Sequence, residues 1–81
     1  MEGVVNYTLM MQNIEVGALV KENEEGIVRI SFRSKNDFNV NDFARKYFSG
    51  GGHRKASGAT STMNLEDTCK YMEECFRKEL L

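Results

Sequence analysis

Three consecutive glycines, Gly50-Gly51-Gly52, place the tightest constraint on how this chain can fold. Glycine gives up more backbone freedom on ordering than any other residue, so such a run persists where the main chain turns through positive φ or lets another group approach closely. The run lies within Ser49–Thr62 and is followed at once by His53, Arg54 and Lys55. Successive N–H groups in a glycine turn can form a concave anion nest, and an imidazole, a guanidinium and an ammonium beside it add donors and positive charge. A phosphate suits that combination; the plainer reading is a helix stop followed by a turn. Two familiar phosphate loops are excluded. Lys55 lacks the preceding Gly and following Ser/Thr of a P-loop. The third position of a Gly-x-Gly-x-x-Gly turn counted from Gly50 is Lys55, and the glycines are expected to follow a helix rather than a strand.

Charge is distributed in agreement with a focused anion site. The formal net charge is only −1. Yet the segment 29–55 holds Arg29, Arg33, Lys35, Arg45, Lys46, Arg54 and Lys55 against Asp37 and Asp42. A protein that coats a duplex is usually basic overall, so a local site for one or a few phosphates fits better. Arg45 and Lys46 read as a solvated helix face.

With 81 residues, 41% of them apolar and 28% charged, the chain is long enough for one globular domain with a modest core. No apolar run reaches membrane-spanning length and the N-terminus lacks the order of a signal peptide, so a cytoplasmic address is the expectation. Cys69 and Cys75 lie six apart on an expected helix, which turns them away from each other and reads as two reduced thiols.

Along the chain, Val4, Val5, Leu9 and Met10 suggest a short helix over Glu2–Gln12, and the abrupt start reads as a piece cut from something longer. Ile14–Lys21 and Ile27–Arg33 alternate as strands about a turn at Asn23–Gly26, forming a hairpin. In the second strand Val28, Ile30 and Phe32 share one face while Arg29, Ser31 and Arg33 share the other, meeting either solvent or a ligand. Arg33 and Ser34 close the strand, where ligand-reaching groups are common. Asn39 caps a helix with the apolar stripe Val40, Phe43, Ala44, Tyr47 and Phe48, stopped by Gly50. Ala56–Met63 reads as a third strand of small residues. A last helix begins at Asn64 with Leu65, Cys69, Met72 and Phe76 inward. The fold class expected is therefore mixed α/β: a three- or four-stranded sheet with packed helices in a single domain, residues 1–81.

The ordered set Ser31-Phe32-Arg33-Ser34, then Ala44-Arg45-Lys46, then Gly50-Gly51-Gly52-His53-x-x-Ala56-x-Gly58 resembles the DHH-associated C-terminal domain of the DHH phosphoesterase superfamily. It covers nearly the whole chain and looks most like the nanoRNase and pAp-phosphatase branch, also labelled exopolyphosphatase-related. Members often carry a fourth glycine where this chain has Ser49. The resemblance implies the substrate-binding half of a hydrolase acting on pAp or a short oligonucleotide, by attack of metal-activated water across an interdomain cleft. It also implies a separate N-terminal DHH domain as partner, holding Mn or Mg, and it admits a homodimeric parent. This chain has one His and no Asp/His cluster, so no cofactor, metal site or catalytic residue is assigned to it, and it is not expected to catalyse alone. The binding residues carried over are Gly50, Gly51, Gly52, His53 and Arg33, with Arg54, Ser34 and Ser57 as further candidates. Alternatives are a cyclic dinucleotide phosphodiesterase or a RecJ-like exonuclease domain, which share the loop, or, from another class, a non-catalytic nucleic-acid-binding or hinge module.

Overall fold

Alternation of apolar and polar residues builds most of this molecule, whose computed structural model describes residues 3–80. Strand β1 (Gly3–Met11) runs into β2 (Ile14–Glu22), then β3 (Val28–Ser34), helix α1 (Val40–Tyr47), β4 (Ser49–Gly52), β5 (Ala56–Ser61) and helix α2 (Leu65–Leu80). The strands form one antiparallel sheet in the order β1-β2-β3-β5-β4. One face carries the core: Val16, Ala18 and Val20 of β2, Val28, Ile30 and Phe32 of β3, and Ala59 of β5 pack with Val40, Phe43 and Ala44 of α1 and Met72, Cys75, Phe76 and Leu80 of α2. Both helices therefore cover the same side, and the other side of the sheet is left open.

Phe32 is the hub of that core. Its ring meets Phe43 edge-on at 5.4 Å and Phe76 at 6.0 Å, while Phe43 and Phe76 stack at 4.1 Å between the two helices. Such pairs add about 0.5–1.5 kcal/mol each to the burial term. The helices are capped as their sequence demands. Asn39 Oδ1 accepts from the Asp42 amide at 3.0 Å, and Asn64 Oδ1 accepts from Asp67 at 2.8 Å. At the far end Glu79 accepts from both Lys46 and Tyr47 at 2.8 Å, clipping α2 to α1.

The mixed α/β class and the central hairpin are as expected, but the sheet has five strands where three or four were expected. The segment read as a helix is β1. Its inward set is the odd series Val5, Tyr7, Leu9 and Met11, not Val4, Val5, Leu9 and Met10. The two-residue connection Gln12-Asn13, with φ 53° and 67°, folds it back on β2, a turn whose twist suits a hairpin. Glu2, the first residue of the expected helix, lies outside the described residues. In α2 the inward stripe is Thr68, Met72, Cys75, Phe76 and Leu80, with Leu65 and Cys69 only half-buried.

The second added strand is the glycine run itself. Helix α1 ends at Tyr47, and Phe48 is already extended (φ −138°, ψ 174°) with its N–H on Ala44 O, so no glycine is needed as the stop. Ser49–Gly52 then pairs with β5 as an edge strand. The glycines are there for closeness. A methyl at Gly50 would collide with the carbonyl oxygen of Gly58 and come within 2.6 Å of the Ala59 Cβ. Gly52 sits at φ +152°, a conformation that L residues with a Cβ essentially do not adopt.

Two consequences can be measured. Gly50→Ala should cost at least about 2 kcal/mol in chemical denaturation, since backbone must move to admit the methyl, whereas Gly58→Ala, whose Cβ would find nothing nearer than 3.6 Å, should be close to neutral. The bonds from Lys46 and Tyr47 hold the Glu79 carboxyl below its ordinary pKa. A depressed carboxylate stabilises above its unfolded pKa and loses that contribution as pH falls through the folded one. Glu79→Gln should therefore lower the midpoint of unfolding at neutral pH and converge on the parent protein as acidification protonates the folded-state carboxyl.

Candidate anion-binding face

Because Phe32 enters the core, its neighbours Ser31 and Arg33 stand on the open face. The register surrounds Arg33 with almost nothing: Gly17 lies beside it on β2 and Ala56 beside it on β5. One row along, Ser31 has Leu19 on one side and Gly58 on the other. The result is two shallow depressions meeting at Arg33. One, of about 420 Å³, includes Thr8, Glu15, Gly17, Lys35 and Lys55 in its lining; the other, of about 460 Å³, includes Ser31, Gly51, Gly52 and Gly58. Arg33 and Ala56 border both.

The His53-Arg54-Lys55 segment is a tight turn joining β4 to β5. His53 and Ala56 exchange both backbone bonds, at 2.7 and 3.2 Å, which puts His53 directly across from Ala56. Two strand spacings then separate the His53 and Arg33 backbones, roughly 10 Å, a gap that two long side chains can close around one phosphate. The turn is tied down from outside as well. Its Arg54 carbonyl accepts from the first amide of α1, Val40, at 2.8 Å, and its Lys55 carbonyl accepts from Ser34 at 3.0 Å. The turn is thus bonded to both α1 and the end of β3.

Charge at this end of the face is unevenly committed. Lys35 is paired with Glu15 at 3.0 Å, and Arg54 with Asp37 at 3.2 Å. Among the described residues Arg33 and Lys55 take part in no ion pair. Glu15 is the one acid in the lining of the first depression, and Lys35 engages it.

The residues expected at the site thus divide. Arg33 and His53 are exposed and share the end of the open face, and Arg54 is next to them but engaged with Asp37. Ser34 and Ser57 are on the other side of the sheet. Ser34 Oγ donates to Asn36 O at 3.2 Å and accepts from the Asn36 amide, and buried Ser57 donates to Val40 O at 2.9 Å. Their hydroxyls serve the fold. Nor do Gly50, Gly51 and Gly52 form a concave turn: they are extended, the Gly52 amide donates to Asn41 Oδ1 at 2.9 Å, and Gly51 pairs with Gly58 in the ladder. Since His53 and Ala56 are a bonded pair, the alternation of an antiparallel ladder makes Gly51 and Gly58 bonded too. Two of the three expected amide donors are therefore spent internally. Lys55 and the flanking Gly17 also line the first depression and were not singled out as binding residues. The hairpin register, fixed by the Asn23–Gly26 turn, is the signal that places Gly17 opposite Arg33.

Among the described residues no three His, Cys, Asp or Glu side chains converge. No helix is long and apolar enough to cross a membrane.

A profile of the DHHA1 domain matches residues 1–78. This chain belongs to the DHHA1 domain family. No curated protein and no solved structure gives a match. The DHHA1 domain is associated with DHH-family phosphoesterases.

The two thiols of this DHHA1 domain lie away from the open face. Both Cys69 and Cys75 are free, and burial raises each pKa above the usual thiol value. The thiolate is the reactive form. A chromogenic disulfide reagent should accordingly modify both slowly in the native protein at neutral pH and rapidly once denaturant unfolds it.

Proposed function

We propose that this DHHA1 domain is the substrate-holding half of a metal-dependent phosphoesterase acting on pAp or short oligonucleotides, as in the nanoRNase and pAp-phosphatase branch. In this reading it works beside a DHH domain that supplies the divalent metals and the attacking water. The carrying observation is Arg33: an exposed guanidinium with no ion-pair partner among the described residues, standing between Gly17 and Ala56 where two depressions meet. A planar guanidinium in that setting grips a phosphate by two parallel hydrogen bonds. His53 and Lys55 supply the neighbouring donors from the anchored turn, and Arg54 adds its charge at the rim. The glycines act by bringing that turn close to β5 and α1, not by offering their own amides.

Cationic groups on one end of one face, in a chain of net charge −1, suit a ligand with one or a few phosphates better than a long polyanion. Calorimetric or NMR titration with pAp, a 5′-phosphorylated dinucleotide and a cyclic dinucleotide tests the reading and ranks the substrate classes. Arg33→Ala should weaken binding by about 1.5–3 kcal/mol, the range for hydrogen bonds to charged groups, and Arg33→Lys by part of that. His53→Ala should act in the same direction. Unchanged affinity in Arg33→Ala would sink the assignment.

A further inference from the structure

The two edges of the sheet are treated differently. Edge strand β4 is four residues long and its Gly52 amide is taken by Asn41. Edge strand β1 is nine residues long, GVVNYTLMM, without a charge or a proline along it. Proteins normally guard such an edge with lysines, prolines or bulges, because its free amides and carbonyls template another strand.

We propose that this free edge pairs with a second copy of the chain, antiparallel, in the register that puts Tyr7 on the two-fold axis. The Gln12-Asn13 hairpin makes Met11 and Ile14 a bonded pair. By alternation Gly3, Val5, Tyr7 and Leu9 bond to β2, while Val4, Asn6, Thr8 and Met10 turn their N–H and C=O groups outward. With the axis at Tyr7, Val4 of one copy faces Met10 of the other and Asn6 faces Thr8. All four outward residues are used, forming about eight backbone bonds across the axis. A shift of two residues either way leaves outward groups without partners.

The side chains argue for a copy of this chain rather than for a strand of another protein. On the open face β1 presents Val4, Asn6, Thr8 and Met10, an apolar-polar-polar-apolar series that reads alike in both directions. Val4 and Met10 are 60% and 68% exposed, two of the three exposed large apolar residues among those described, and this register covers each with the other. On the helix side, α2 lies over β1: Phe76 stacks on Tyr7 at 6.2 Å, and the Glu73–Arg77 pair, about half exposed, sits beside the Tyr7 hydroxyl. The two-fold brings Glu73 of one copy toward Arg77 of the other, so opposite charges meet where the helices approach. The joined sheet is continuous, with both Arg33 residues on the same open side.

Sedimentation velocity and light scattering on the intact chain test this at the concentrations used for NMR. The expected mass is that of two chains. Val4→Lys combined with Met10→Lys sets like charges opposite each other twice and should weaken self-association by at least roughly tenfold. Val4→Lys combined with Met10→Glu sets opposite charges in the same two places and should restore it, with added salt sensitivity. Both positions are solvent-exposed in the single chain, and circular dichroism verifies that both variants fold. A wild-type mass of one chain overturns the proposal, as does equal self-association of the two double variants.

Discussion

The burial of Phe32 is the constraint from which the rest of the molecule follows. Placing that ring among Phe43, Phe48 and Phe76 contributes about 1.5–3 kcal/mol by the usual area relation. A strand exposes its residues alternately, and a slip by one residue would exchange the two faces entirely. Fixing Phe32 inward therefore fixes Ser31 and Arg33 outward. Through the paired register it also fixes Gly17, Ala56 and Gly58 around them. The cationic face is the reverse side of the aromatic core.

The glycine run shows how a fold requirement and a binding requirement can look alike in sequence. A phosphate nest and a tightly packed edge strand both need residues without a Cβ. Here the packing requirement is visible at each position: Gly50 against β5, Gly52 through its φ, and Gly51 with Asn41 Oδ1 at 3.1 Å from where a Cβ would be. What the run gives the site is placement, since it delivers His53 and Lys55 on a turn already bonded to α1 and to the end of β3.

The hairpin of β2 and β3, both helix caps, the small-residue strand β5 and the outward row Arg29, Ser31 and Arg33 were all legible in the sequence, because each rests on a local pattern that the final packing reinforces. Two elements were not. In β1 the adjacent Val4 and Val5, with Leu9 and Met10 at helical spacing, mask the alternate series Val5, Tyr7, Leu9 and Met11, and only pairing with β2 selects it. In β4 four residues of low strand propensity are held extended only by tertiary partners, the β5 ladder and the Asn41 side chain of α1. Which side of the sheet Ser34 and Ser57 take was likewise not legible from the motif. Their motif neighbours are exposed, but strand parity turns these two inward, where a hydroxyl survives by bonding a backbone carbonyl.

All eight aromatic side chains belong to the core cluster or pack against it, on the helix side of the sheet. A nucleotide lying on the opposite side would meet guanidinium, ammonium, hydroxyl, bare backbone and the imidazole of His53, with no Phe or Tyr ring for its base. If that face holds a nucleotide, as proposed, cationic groups outnumber stacking surfaces there, so the number and spacing of the ligand's phosphates would weigh more in its recognition than the identity of its base.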